Sequence, residues 1–451
     1  MFMTFVGLCI SFIIVCFDLS GTAVLLPAMH RAIHLSFSEV QWIINIYVIM
    51  MASITLIAGK LANRIGYKYI FLIGLVIFAG GSFLCGFAQS AIMEIAGRTL
   101  QGIGAAIIFP IGVAIVKHLS PDDKVSTNIG FFIAFNATMF AIGGFIAGLF
   151  THYLTWRYFF YINIPISAVA FIVIAFAMKK ITHREKIPID WIGLLLIIVS
   201  VLSLVFGLMN APVYGWLSWW IIGAFAVFII STALFIWLQI KTSHPLIKFS
   251  ILKNPHLNSL LFITACMQAG FMTLMFFMLF VQMNWKFTPI EAGLIGAFSG
   301  AAMVIISIIH GTLVKWFSEQ VVFFVGQLFV FVGLILMTLS VYFGFVWLMI
   351  GLFSFGLGMP TLLASAITFA FEMVKAEDQA ITSSLVFSVR FIGGSVGFAI
   401  QGSIIGLSMI HLQKHHMFKT LHFFIAMLVI TIFSLIATIL STKFLFFKRT
   451  I

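Results

Sequence analysis

Charge is what this sequence has least of. Asp, Glu, Lys and Arg make up 8% of its 451 residues, where a soluble domain carries about 25%. So few charges cannot cover a water-facing surface. A mean hydropathy of +1.21 in a chain that is 63% hydrophobic therefore points to an integral membrane protein. Acids are scarcer than bases, 12 Asp and Glu against 24 Lys and Arg, giving a net charge of +12. The basic residues sit in short links between apolar runs. That argues against a nucleic-acid surface, which needs a basic face on a soluble domain, and fits the cytoplasmic bias of basic membrane loops. Cysteine is also sparse. Cys9, Cys16, Cys85 and Cys266 all fall in apolar segments without ligand spacing, so they read as small hydrophobes, with no disulfide frame or metal site. There is no G-x-x-x-x-G-K-[ST] loop, which argues against ATP-driven pumping. No H-E-x-x-H, G-x-S-x-G turn, or quinone or haem ligand pattern appears either. The chain is expected to be no enzyme and to need no cofactor beyond an ion gradient.

What the sequence has instead is long apolar runs. A span needs about 20 mostly apolar residues, and fourteen such stretches are expected, from 5–26 to 421–446, with no soluble domain inserted between them. The first is read as a retained span, since it lacks a convincing small-residue cleavage site. With the N-terminus inside, seventeen of the 24 Lys and Arg fall on the cytoplasmic side and five on the other. That bias, together with an even number of spans, places both termini in the cytoplasm.

The stretch RTLQGIGAAIIFP, Arg98 to Pro110, carries the most information. A cation at membrane depth costs at least ~2.5 kcal/mol even on lenient scales, so Arg98 must face protein or water and find an acceptor. Gly102, Gly104, Ala105 and Ala106 behind it let a neighbouring helix approach closely. Asp18, in the middle of the first span, is the only acid that reads as deep enough to balance it. A carboxylate held between desolvation and a neighbouring cation can take up and release a proton; equally, Asp18 could serve only as the structural counterion of Arg98. No further acid reads as deep in a cavity.

Other stretches leave two readings open. GKLANRIGYKY, Gly59 to Tyr69, is a basic interior loop. It either marks topology alone or latches onto a helix end, with Gly59 and Gly66 permitting the tight turn and Lys60, Arg64 and Lys68 supplying positive charge around Asn63. Asn136, Gly143 and Gly144 of the fifth span, 127–149, form a closely packing face or a hinge. In WRYFFYINIPI, Trp156, Tyr158 and Tyr161 suit an interfacial aromatic belt, with Arg157 snorkelling beside them. The ninth span gathers Gln268, Phe271, Met272 and Met275, which suit either promiscuous apolar binding or plain core. His411, His415 and His416 could share a metal, but a solvated loop is the simpler reading, and no metal site is expected.

These segments together resemble the major facilitator superfamily, and within it the fourteen-span drug:proton antiporters of the QacA/EmrB type. DLSGTAVLLP (Asp18 to Pro27) is similar to D-x-T-x-x-N-x-A-L-P, with Ser20 for Thr and Ala23 for Asn. QWIINIY (Gln41 to Tyr47) resembles Q-W-x-x-x-x-Y. EIAGRTLQGIGAA (Glu94 to Ala106) fits R-x-x-Q-G-x-G-A-A throughout. WRYFFYINIP, FTPIEAGL (Phe287 to Leu294) and RFIGGSVGFAI (Arg390 to Ile400) resemble further stretches of that group. Two stretches depart from it. Asn63 and Tyr67 stand where the interior loop G-x-L-A-D-R-x-G-R-[RK] has Asp and Arg. Phe135, Met139 and Phe140 replace Gly, Gly and Pro of the fifth-span antiporter motif G-x-x-x-G-P-x-x-G-G.

The resemblance implies an all-α membrane fold with fourteen transmembrane helices. Six form an N-terminal bundle over 1–186, two additional helices lie within 187–241, and six form a C-terminal bundle over 242–451. It implies alternating access, proton coupling at Asp18 and Arg98, and a coupling helix marked by Gln101, Gly102 and Gly104. Trp42, Tyr47, Gln268, Phe271, Met272, Met275 and Arg390 are expected to line a substrate cavity. The expected function is proton-coupled export of amphipathic or cationic small molecules from a bacterial cell through its plasma (inner) membrane. The alternative is export of one metabolite such as a siderophore; a non-transporting receptor is a third reading. The expected partners are a small-molecule substrate and the lipid bilayer, with a periplasmic adaptor as a candidate in a Gram-negative cell. The chain is expected to be a monomer and to bind no nucleic acid.

Overall fold

The structure, a computed structural model, describes residues 2–121, 125–179, 188–375, 378–410 and 420–446. Within them the regular structure is helical throughout. Bilayer hydrocarbon offers backbone groups no water to bond, so a spanning segment must satisfy its own N–H and C=O groups, and a chain this apolar has helices as its solution. In order they are α1 (Phe2–Ala32), α2 (Phe37–Ile65), α3 (Tyr67–Phe87), α4 (Ala91–Leu119), α5 (Val125–Tyr153), α6 (Trp156–Tyr161), α7 (Asn163–Ala177), α8 (Trp191–Tyr214), α9 (Trp219–Lys241), α10 (Pro255–Met283), α11 (Pro289–Phe317), α12 (Glu319–Phe343), α13 (Phe345–Glu372), α14 (Gln379–Ile410) and α15 (Thr420–Leu445).

Among the described residues, thirteen helical segments are long and apolar enough to cross a membrane, with α6 and α7 counting as one. The count of fourteen is thus not reached. The fifth expected span lies in α5, of which only Thr138–Tyr153 stands out, as a shorter apolar helix. The first helix also outruns its expected end: Pro27 lies inside α1, which continues to Ala32.

Reciprocal side-chain caps open α2 and α11. Ser36 Oγ accepts from the Glu39 amide at 3.3 Å while Glu39 Oε2 accepts from the Ser36 amide at 2.7 Å, a reciprocal cap that opens α2. Thr288 and Glu291 repeat it at α11 with 3.3 and 2.7 Å. The T-P-I-E of FTPIEAGL is therefore a helix-start signal of the S/T-x-x-E type.

The chain clusters into two compact units. One comprises Met1–Asp190 and Phe287–Gly300; the other comprises Trp191–Lys286 and Ala301–Ile451. In the first, α4 packs on α2 and α3, and α1 packs on α5 and α7. In the second, α12 pairs with α13 and α15, α10 packs on α14, and α8 lies against both α9 and α14. The second unit is tied by hydrogen bonds between helices. Gln327 donates to Ser434 Oγ at 3.3 Å and Thr438 Oγ1 at 3.2 Å. Thr338 and Thr431 share a bond of 2.9 Å, and Gln401 donates to Thr273 at 2.6 Å.

Candidate functional site: a buried ion pair on α4

Glycine lets α4 carry its charge inward. A Cβ at Gly102 would sit 2.7 Å from the Tyr47 carbonyl oxygen of α2, and one at Gly104 would sit 2.8 Å from the Gly74 carbonyl oxygen of α3. Any side chain at either position would push a neighbouring backbone away. Arg98, one turn earlier, is thereby drawn into the centre of the unit, where it is 1% exposed.

The guanidinium is held there through Nη1 and Nε. Nη1 forms an ion pair with Asp18 Oδ2 of α1, itself fully buried, and also donates to Gln101 Oε1 at 2.8 Å. Nε donates to the Ile43 carbonyl of α2 at 3.1 Å. The Tyr47 ring lies against it, with the guanidinium carbon 4.4 Å from the ring centroid. Gln101 closes the arrangement, its Nε2 donating to Asp18 Oδ1 at 2.9 Å and to Ser82 Oγ of α3 at 2.8 Å. Four helices thus supply one polar cluster. Tyr47, expected to line a cavity, supports the ion pair instead. Trp42, one turn from Ile46, is half-buried.

A second acid corrects the expectation that Asp18 stands alone. Glu94, one turn before Arg98 on α4, is fully buried, and neither carboxylate oxygen has a hydrogen-bond partner among the described residues. In linear sequence it reads as a span-end residue. The spacing i, i+4 from Arg98 was the signal that could have found it.

The interior turn is tighter than expected. α2 runs on to Ile65, so Gly59 lies inside the helix in open space and plays no part in the turn. Gly66 alone makes it, at φ 105°, with its amide bonded to the Ala62 carbonyl at 2.8 Å; this left-handed backbone suits glycine. The two departures from the family pattern meet each other: Tyr67 Oη donates to Asn63 Oδ1 at 2.9 Å. Arg64 is exposed. Lys68 does latch onto a helix end, its Nζ donating to the carbonyls of Ala175 at 2.6 Å and Met178 at 2.8 Å at the end of α7.

Arg157 does the reverse job. It does not snorkel; its Nη1 donates to the Gly86 and Ala88 carbonyls, at 3.2 and 2.5 Å, at the end of α3. Trp156 beneath it is buried at 4% exposure, so it is no belt residue, while Tyr158 is exposed. On α5, a Cβ at Gly143 would meet Ser20 Oγ at 2.3 Å and Phe17 Cα at 2.8 Å, which makes Gly143 a packing contact with α1. Gly144 is buried nearby, and Asn136 accepts from the Cys16 thiol at 3.4 Å. In the second unit, Gln268, Phe271, Met272 and Met275 are all buried in α10, and Arg390 Nε donates to Gln268 Oε1 at 2.6 Å. His411, His415 and His416 lie outside the described residues. Among the described residues no group of His, Cys, Asp and Glu could hold a metal.

The apolar helices and the buried Arg–Asp pair define a multi-pass helical membrane protein, and its family makes it a transporter, not an enzyme. The chain belongs to the Major Facilitator Superfamily, whose profile matches residues 8–398. It is 29% identical over 386 residues to the multidrug resistance protein Stp of Mycobacterium tuberculosis (strain CDC 1551 / Oshkosh), covering 85% of this chain and 72% of that one. It is 32% identical over 376 residues to the multidrug transporter protein MdtP of Bacillus subtilis (strain 168), covering 81% and 68%. With the tetracenomycin C resistance and export protein of Streptomyces glaucescens it shares 26% over 403 residues, 88% and 75% of the two chains. Among solved structures, the nucleoside transporter NupG superposes with a TM-score of 0.69 at 13% identity over 98% of this chain and 99% of that one. A peptide transporter POT in complex with sulfate reaches 0.70 at 15%, over 98% and 94%. At such identities the likeness is one of fold.

Proposed function

We propose that this transporter exports amphipathic or cationic small molecules from a bacterial cell by alternating access, driven by protons entering through Asp18. The observation that carries the reading is the Asp18–Arg98 pair, buried on both sides and braced by Gln101. Protonating Asp18 would leave Arg98 buried without its counterion, and breaking a buried pair in this way costs about 3–5 kcal/mol. Driving a two-state equilibrium from 1:99 to 99:1 takes about 5.5 kcal/mol. One proton at this site is thus of the right size to bias two conformations. A unit of charge moved across the membrane adds about 2.3 kcal/mol per 100 mV. No cofactor is needed beyond the proton gradient.

The names of the relatives support drug export, and one of them, the tetracenomycin C resistance and export protein, is named for a single compound. A second reading, export of one secreted metabolite, draws support from that name and from Met139 and Phe140, which replace the Gly-Pro of the antiporter motif on α5.

Efflux of ethidium and of an acidic amphiphile, cholate, from proteoliposomes, with and without an imposed pH gradient, tests the first reading. Efflux is expected to need the gradient and to fall at least tenfold in Asp18→Asn. Equal rates without the gradient, or full activity in the variant, would remove proton coupling at Asp18.

A further inference from the structure

The second unit holds a buried cation with no counterion among the described residues. Arg390 is 7% exposed on α14. Its Nε donates to Gln268 Oε1 of α10 at 2.6 Å, but Nη1 has no partner among the described residues, and neither has Gln268 Nε2. The ion pairs among those residues are Asp18–Arg98 and Lys248–Asp378, so no carboxylate balances Arg390. Arg98, in the other unit, shows what a buried arginine of this protein looks like when it is satisfied; Arg390 lacks the acid.

The surroundings are built to keep the two donors together. Gly394 lies one turn beyond Arg390, and a Cβ there would come within 2.6 Å of Gln268 Cγ and 3.4 Å of Met272 Cγ. Only the bare backbone leaves Gln268 room to reach the guanidinium. Met272, one turn beyond Gln268, and the Phe391 ring, 5.2 Å from the guanidinium carbon, supply apolar neighbours. Arg390 is eleven residues into α14, or ~16 Å along the axis at 1.5 Å per residue. That is about half of a hydrocarbon core ~30 Å thick, a depth that disfavours a lipid headgroup as the answering anion.

We propose that Arg390 and Gln268 form the binding site for the acidic group of the transported molecule, so that the substrates are amphiphiles bearing a carboxylate or a comparable anion. A carboxylate would accept from Arg390 Nη1 and Gln268 Nε2 through charge-assisted bonds, with its apolar part against Met272. The proposal rests on the export reading above and narrows its substrate class.

The test is binding to the purified full-length protein in detergent, without any gradient, read as the shift of its thermal unfolding midpoint. The probes are octanoate, 2-naphthoate and cholate, each beside its methyl ester, with dioctanoyl phosphatidylglycerol as the lipid arm. At least one acid is expected to raise the midpoint in a saturable way while its ester does not. Arg390→Gln is expected to weaken that acid at least tenfold, and Arg390→Lys to recover part of the loss. Gln268→Glu guards against a variant that fails to fold. It places a carboxylate beside Arg390, and is expected to raise the midpoint of the free protein and abolish the preference for acid over ester. Equal shifts by acids and esters, shifts by none of the acids, a shift by the lipid alone, or acid selectivity surviving Gln268→Glu would each overturn the proposal. Because binding is read without transport, acid selectivity in a protein whose efflux ignores the pH gradient would overturn only the coupling at Asp18; the converse result would overturn only the site at Arg390.

Discussion

Single residues explain why α4 can hold a charge at membrane depth. Arg98 is tolerated because Asp18, Gln101 and the Ile43 carbonyl take up its donors. Glu94 is the residue that does not fit a simple pair, since its carboxylate has no hydrogen-bond partner among the described residues and lies one turn from Arg98. When Asp18 is neutralised, Glu94 is the acid left on α4 to face that cation. The two positions should therefore be coupled. Asp18→Asn is expected to destabilise the protein by about 3–5 kcal/mol, and Glu94→Gln alone to change stability little. The double variant is expected to cost more than the sum, by about 0.5–3 kcal/mol, as residues sharing one partner do. Unfolding midpoints of the four proteins in one detergent decide it; strict additivity would show that Glu94 does not sense the pair.

Helices α3 and α7 hold each other by their ends. Lys68 in the first turn of α3 bonds the last carbonyls of α7, and Arg157, just ahead of α7, bonds those of α3. The last carbonyls of a helix lack partners within it, and a cation there also meets the negative end of the helix dipole. Hydrogen bonds to charged groups are worth about 1.5–3 kcal/mol, so Lys68→Met and Arg157→Met are each expected to lower stability by that amount. Proteolysis at the ends of α3 and α7 should rise before the rest of the unit opens; unchanged protection in both variants would reduce the two contacts to surface decoration. The bond between Tyr67 and Asn63 belongs to the same element. The family pattern has Arg and Asp at these positions, and here a neutral pair occupies them, so the turn keeps a bond across it while losing its charges.

At the scale of the molecule, the proposed orientation has an accessible check. All four native cysteines are buried, so a membrane-impermeant maleimide should find little to label in the native protein. Arg64→Cys, exposed in the last turn of α2, is expected to react only from the cytoplasmic side. Tyr153→Cys, where the side chain is 72% exposed, is expected to react only from outside; labelling of both from one side would invert or break the proposed topology. The fold itself depends little on residue identity, since 13% identity to NupG accompanies a TM-score of 0.69. Periodic apolar length is enough to specify helices in lipid, where each helix satisfies its own backbone. That is why the membrane class, most of the spans and the charge bias could be read from the sequence. Asp18 and Arg98 could be read as partners because ions at that depth are rare and must be answered. Other assignments failed where the partner lay far along the chain. Arg157 reads as a snorkelling residue, yet the α3 carbonyls it bonds lie 69 and 71 residues away along the chain. Two more fail for local reasons: Glu94 reads as a span end although Arg98 is one turn away, and Gly59 reads as part of a turn that α2 runs past. By itself the sequence determined which segments enter the membrane and which charges cannot remain alone there. Only the tertiary structure decided which buried charge has no counterion among the described residues, Arg390. The reason is that a buried charge is satisfied by helices brought together through packing, and linear spacing does not record that proximity.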